Sequence, residues 1–320
     1  MKILAIQGRM GIGDTIIFLP FIKAISEKFN TPVSILVKDN SKADQYLFNA
    51  DYIDEIIILD RTKKTKSRHS GLFGSFNLIK DLKKHNFSKI FIFNSSLRYY
   101  LIARLSGVPK IYQYPLFKKK YQHITKTPKK FIKDNLGINI DTDPQIEISK
   151  ELINNALIKF KIDKNRTNIL LGIGGSGPTK RIPASTFLSV IQKITKIKNC
   201  NFFLATGKKY QEQIILNQIM NSEFKSLCYP LDNLTIRETL PVIKNCDISI
   251  CNDSSFSHLS AALGIKTITL MADTPLIYGS YSSKMYPIIP DDVEVVTHDT
   301  LGKEKINSQK IFEKFKEIID

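Results

Sequence analysis

Short apolar runs recur along the chain, separated by longer stretches in which apolar positions return every three or four residues. "KILAI", "VSILV", "EIIIL" and "KIFIFN" occupy the first half; "NILLGIG", "NFFLATG", "ISICND" and "TITLM" occupy the second. Runs this short and rich in β-branched residues read as strands covered on both faces, and the helical patterns between them make the strands parallel. The expected fold class is therefore α/β, with two Rossmann-like doubly wound parallel-sheet domains facing a cleft at the carboxyl ends of their strands. A polar, proline-containing stretch, "GINIDTDPQIEISKE" (137–151), separates the halves. Domains are expected at 1–150 and 151–306. Residues 307–320 form an amphipathic helix, with Ile311, Phe312, Phe315, Ile318 and Ile319 on its apolar face, expected to pack back on the first domain.

A length of 320 residues is ample for two such cores. The four cysteines, Cys200, Cys228, Cys246 and Cys251, have no CxxC spacing, so neither a zinc site nor a disulfide framework is expected, and a reducing cytosol fits. The chain starts on a strand rather than a signal peptide, and no apolar run is long enough to span a bilayer. The net charge of +17 favours an anionic partner: nucleic acid, an acidic membrane surface or a phosphorylated substrate. Abundant Lys, Ile and Asn are equally what an AT-rich genome produces, so the charge alone selects none of these.

Candidate chemistry starts in "GRMGIGDTIIFLP" (8–20), between the first strand and a helix. Gly8, Gly11 and Gly13 can take positive φ, which suits a tight turn approached by another molecule. Asp14 would stand on the first helical turn, either as a general base for a hydroxyl or as an ordinary helix cap. In "GIGGSGPTKRIP" (172–183) a literal G-x-G-x-x-G is followed by prolines instead of a helix, and the next strand ends in "ATG" without the acid that would hold a ribose. What remains is a glycine-rich turn presenting Thr179, Lys180 and Arg181, groups suited to phosphate oxygens or to plain solvent exposure. "ISICNDSSFSHLSAALG" (248–264) runs from a strand through a polar turn into a helix of small residues, whose start favours an anion. Asp253 and Ser254 are natural caps there, and His258 is placed to donate to phosphate. Gln211 and Glu212, in "GKKYQEQ", could reach ribose hydroxyls or lie on the surface. The basic loop "RTKKTKSRHSG" carries Arg61, Lys63, Lys64, Lys66 and Arg68, and could grip an anionic acceptor. It does not match a nucleic-acid module.

Together these segments resemble glycosyltransferase family nine, the ADP-heptose:lipopolysaccharide heptosyltransferases. "MGIGDTIIFLP" is similar to the family's G-D-x-x-x-x-x-P signature, "GSGPTKRIP" to its K-R-W-P segment with Ile182 for the tryptophan, and "NDSSFSHLSAALG" to its D-T-G-x-x-H-x-A-A stretch with Ser255 for the glycine. The resemblance implies a GT-B fold and an inverting, metal-independent glycosyltransferase of lipopolysaccharide biosynthesis. Asp14 would be the general base. Thr179, Lys180, Gln211, Glu212, Asp253, Ser254, Ser255 and His258 would hold the donor, and Arg61, Lys63, Lys64, Lys66 and Arg68 the acceptor. The implied partners are an ADP-heptose-like nucleotide sugar and an anionic glycan or glycolipid. The implied location is cytoplasmic, with peripheral contact at the inner membrane; no cofactor, metal or nucleic acid is implied. A nucleotide-sugar epimerase on the same scaffold and a non-catalytic nucleotide-sugar-binding protein are the alternative readings.

Overall fold

The computed structural model describes residues 1–9, 11–61, 67–116, 123–175 and 177–319. Backbone contacts divide the chain into two compact units, Met1–Pro144 and Gln145–Asp320.

The first unit is a sheet of five parallel strands: β1 (Ile3–Ile6), β2 (Val33–Lys38), β3 (Ile53–Leu59), β4 (Lys89–Ile92) and β5 (Lys110–Gln113), in the order β3-β2-β1-β4-β5. Helices α1 (Ile12–Phe29), α2 (Gly71–Lys83), α3 (Leu97–Leu105) and α4 (Lys126–Leu136) cover it. Leu78 and Leu82 of α2 and Ile102 and Ala103 of α3 pack on Leu4, Ile6, Ile90 and Ile92. An edge-to-face aromatic cluster binds α1 and α4 through Phe18, Phe93, Tyr114 and Phe131, an arrangement that aromatic quadrupoles favour.

The second unit holds six parallel strands: β6 (Thr167–Gly172), β7 (Cys200–Ala205), β8 (Cys228–Pro230), β9 (Ile248–Asn252), β10 (Lys266–Leu270) and β11 (Met285–Ile288), in the order β11-β10-β9-β6-β7-β8. Its helices are α5 (Lys150–Lys159), α6 (Ala184–Thr195), α7 (Tyr210–Met220), α8 (Ile236–Lys244), α9 (Ser255–Ala262) and α10 (Ser308–Ile319). The connecting stretch enters this unit early: the Ile146 N–H donates to the Ala262 carbonyl at 2.9 Å.

Every strand pair in both sheets is parallel. Each sheet reverses its strand order once, between β1 and β4 in the first and between β6 and β9 in the second. Loops leaving neighbouring strands there diverge to opposite faces and open a crevice at the carboxyl edge, which is where ligands of such sheets bind. β5, β8 and β11, which the apolar pattern did not announce, are all edge strands, where one flank lacks a partner and a short, less apolar run suffices.

The terminal helix α10, expected to pack back on the first domain, instead turns its apolar face into the core of the second unit. Ile311, Phe315 and Ile318 sit in the core of the second unit with Val190, Ile194 and Leu270, so the helix completes that sheet's covering layer. Truncating a large aromatic in such a core costs about 3–5 kcal/mol. Phe315→Ala should therefore erode hydrogen-exchange protection across β10 and β11 while β1–β5 keep theirs; unchanged protection in β10 would contradict the assigned packing.

Candidate active site

The switch point of the second sheet is built from the segments after β6 and β9. Asp253 leaves β9 with 5% of its surface exposed, and Lys180, on a single 3-10 turn at Pro178–Lys180, meets it with Nζ 2.7 Å from Oδ2. His258, on the first turns of α9, lies with Nε2 3.9 Å from the other carboxylate oxygen. Its Nδ1 is 2.9 Å from the Tyr281 hydroxyl, and the two rings stack. Burial pushes the Asp253 carboxyl upward, but the Lys180 and His258 charges and the Lys180 hydrogen bond outweigh it and hold the group below the usual carboxylate range.

The glycine-rich turn is held by its own side chains. Arg181, expected to offer itself to phosphate, is buried instead. Its Nε donates to the Gly175 carbonyl at 2.9 Å and its Nη1 to Gln211 Oε1 at 2.7 Å. A guanidinium can satisfy two acceptors at fixed angles, so Arg181 works here as a brace that also orients Gln211. Glu212 is buried as well, and its Oε1 accepts the Gly175 N–H at 2.9 Å. A methyl group on Gly174 would come within 2.8 Å of Glu212 Oε1, and one on Gly207 within 2.7 Å of Oε2. Those glycines leave the room the carboxylate occupies.

Several oxygens along this carboxyl edge lack partners. Thr206 Oγ1, after β7, Asn252 Oδ1, at the end of β9, and Ser254 Oγ are buried without a hydrogen bond. Ser254 caps α9 by backbone geometry, yet its hydroxyl makes no capping bond. Ser255 follows as the first residue of α9, so its N–H belongs to the helix's open amino end. Thr179 lies partly exposed beside Lys180. Buried polar groups are normally paired, and unpaired ones clustered at a switch point mark where a polar ligand would complete them.

In the first domain, Asp14 lies on the first turn of α1, just past the end of β1. It is not the cap itself: Gly11 is, and Asp14 three residues on accepts the Gly11 N–H at 3.1 Å, the reciprocal half of a capping box. Gly8, Gly11 and Gly13 do not use positive φ, contrary to expectation; positive-φ glycines are Gly71, Gly107, Gly137 and Gly264. Gly11 sits at φ −106°, in ordinary extended backbone, because a helix start needs no left-handed residue. The loop is stapled instead by the buried Gln7, which accepts the Arg9 N–H at 2.6 Å and donates to the Asp14 carbonyl at 3.2 Å.

Two cations that periodicity alone did not single out, Arg9 and Lys38, lie within electrostatic reach of Asp14. Arg9 Nη1 is 3.9 Å from its Oδ1. Lys38, ending β2, is held below the usual lysine range by burial and by the Arg61 charge, with Asp14 acting in the opposite direction. Arg98 donates to the His69 carbonyl at 2.7 Å and to Ser75 Oγ at 2.9 Å, and so fixes the start of α2. Arg68 is exposed but already engaged in a two-pronged pair with Asp81, at 2.7 and 2.8 Å. Arg61 is exposed. Lys63, Lys64 and Lys66 lie outside the described residues. Among the described residues no group of three His, Cys, Asp or Glu side chains could hold a metal ion, and no helix is long and apolar enough to cross a membrane.

Two parallel sheets in doubly wound order, each with one switch point, place the chain among two-domain α/β proteins. The model of glycosyltransferase family 9 (heptosyltransferase) matches residues 106–315; the chain belongs to that family and is a glycosyltransferase. It is 29% identical over 274 residues to lipooligosaccharide heptosyltransferase 2 of Campylobacter jejuni, covering 82% of this chain and 78% of that protein. The structure of Escherichia coli ADP-heptose lipopolysaccharide heptosyltransferase II aligns over 100% of this chain and 98% of its own, with a TM-score of 0.73 at 17% identity. A family 9 glycosyl transferase from Veillonella parvula aligns over 99% and 97%, with a TM-score of 0.78 at 16% identity. The chain thus has the GT-B fold of those structures, as the three motifs implied.

The buried pair makes a pH-dependent prediction. A carboxyl whose folded pKa lies below its unfolded value stabilises the fold fully above about pH 4, and that contribution is lost as pH falls through the lower folded value. Asp253→Asn should therefore lower the melting temperature at pH 7, and the gap from the parent protein should narrow below about pH 4, as followed by thermal unfolding across pH.

Proposed function

We propose that this glycosyltransferase moves a heptose-like sugar, with inversion and without a metal ion, from an ADP-linked donor to a hydroxyl of a lipopolysaccharide or lipooligosaccharide core glycan. The observation that carries the reading is the set of unpaired buried oxygens beside Lys180 and the start of α9, a polar site whose remaining valences fit the ribose and diphosphate of a nucleotide sugar. The names borne by the relatives supply the sugar, the nucleotide and the acceptor class.

In this mechanism Asp14 accepts the proton of the acceptor hydroxyl as its oxygen attacks the anomeric carbon. The bond from that carbon to the diphosphate oxygen breaks on the opposite face, and its electron pair leaves with the nucleoside diphosphate. Lys180, with Thr179, takes up the charge that accumulates there, and the N–H groups at the Ser254–Ser255 helix start add a fixed dipole; pre-aimed donors of this kind need no reorganisation during reaction. His258 donates to the diphosphate and is oriented by Asp253 and Tyr281. Gln211 and Glu212 meet the ribose. Arg61, Lys63, Lys64, Lys66 and Arg68, joined by Arg9 and Lys38, hold the anionic acceptor. Lys180 must then exchange part of its bond to Asp253 for phosphate, which loosens neither group entirely because an ammonium has three donors. The enzyme works on the cytoplasmic side, in peripheral contact with the inner membrane that carries its acceptor.

Asp14→Asn keeps the size of the side chain but not its basicity. Transfer should fall about 10²–10⁴-fold, the usual worth of a positioned general base, while calorimetric affinity for ADP stays within twofold or so of the parent. Full residual transfer would remove Asp14 from the mechanism. A ligand that binds only the native state raises its melting temperature, so ADP should stabilise the protein more than UDP or GDP at equal concentration. Equal shifts would overturn the ADP assignment, and no shift with any of the three would overturn the donor site.

A further inference from the structure

Leu72 and Phe73, at the start of α2, are 82% and 85% exposed, and Phe76 one turn later is exposed too. At about 100° per residue, Leu72, Phe73, Phe76, Lys80, Lys83 and Lys84 fall within an arc of roughly 120° on the helix. The buried Leu78 and Leu82 face the opposite way, into the sheet. α3 packs beside α2 and repeats the pattern, burying Ile102 and Ala103 while exposing Leu97, Tyr100, Leu101, Arg104 and Leu105. Arg98 ties the two together through Ser75 and the His69 carbonyl, so their outer faces form one surface rather than two loose helices. Contiguous exposed apolar area of this kind is unusual on a soluble domain and marks an interaction surface.

We infer that the outer face of α2 and α3 is a docking surface for an anionic lipid bilayer. The charge on the surface selects the occupant. The helices α2 and α3 carry one carboxylate between them, Asp81, already gripped by Arg68. Exposed cations, Lys80, Lys83, Lys84 and Arg104, border the apolar side chains. A second copy of this chain docked about a twofold axis would set that patch against itself, cation facing cation. A bilayer with acidic headgroups offers hydrocarbon to Leu72, Phe73 and Phe76 and counter-charge to the lysines, whose stems can lie along the apolar surface while their heads stay in water. Arg68 lies just before Ser70, the cap of α2, so a lipid-linked acceptor would reach it from the membrane plane. That last link rests on the proposed transfer reading; the docking surface does not.

The test is co-sedimentation of the full chain with vesicles of phosphatidylcholine alone and with added phosphatidylglycerol. Binding should require phosphatidylglycerol and weaken in high salt. The triple variant Leu72→Asp, Phe73→Asp, Phe76→Asp should lose about tenfold or more in apparent partitioning, given the apolar area withdrawn from lipid. Lys80→Glu, Lys83→Glu, Lys84→Glu should lose binding to the anionic vesicles. An unchanged ADP-induced rise in melting temperature in both variants shows that the fold and donor site survive, so loss of docking is read separately from loss of the transfer site. Variants that sediment like the parent, or equal binding to neutral vesicles, would overturn the proposal. So would a parent dimer in solution that the apolar substitutions dissociate, since the face would then belong to a second copy.

Discussion

Asp253 leaves the end of β9 with its carboxylate withdrawn from water, and a charge so placed is tolerable only with a countercharge and hydrogen bonds close by. Lys180 supplies both, from a segment 73 residues earlier in the chain. The ion pair thereby fixes the turn after β6 against the start of α9. The positions of Thr179, Ser254 and His258 follow from that closure. Removing one partner would leave the other uncompensated, so the geometry of the whole edge hangs on the pair.

Arg181, Gln211 and Glu212 form a second layer behind it. Arg181 and Glu212 each bind the backbone of Gly175, one at its carbonyl and the other at its N–H. The glycine turn is thus held by two long side chains, while Lys180, which follows the turn, presents its ammonium to Asp253. Neighbouring residues Lys180 and Arg181, chemically alike, divide into a partly exposed ammonium paired with Asp253 and a buried brace, because the planar guanidinium holds its N–H groups at the fixed angles that the Gly175 carbonyl and Gln211 require.

The first domain solves the same problem with less charge burial. Gln7 ties the loop after β1 to the start of α1, and Asp14 anchors itself to the Gly11 N–H while keeping its other oxygen toward Arg9. Both sheets use the Rossmann order, so each brings its polar residues to the edge where neighbouring loops part. The outer helices α2 and α3 serve another purpose: their inner faces close the core and their outer faces remain apolar beside a band of cations.

The alternation of apolar runs and helical stretches was enough to establish two parallel α/β sheets, because a strand covered on both faces must be apolar throughout and a parallel neighbour needs a crossover. The motifs at Asp14, Lys180 and Asp253 were legible for a related reason: small and polar residues directly after such strands have few roles other than turning the chain at the ligand edge. Edge strands β5, β8 and β11 were not, since a flank open to solvent relaxes the demand for apolar residues. Nor could local pattern show that Arg181 turns inward, that Glu212 is buried between Gly174 and Gly207, that Tyr281 supports His258, or that α10 joins the second core. Each of those depends on which distant segments meet, and sequence spacing carries no record of that until the sheets close and burial forces every charge to find its partner.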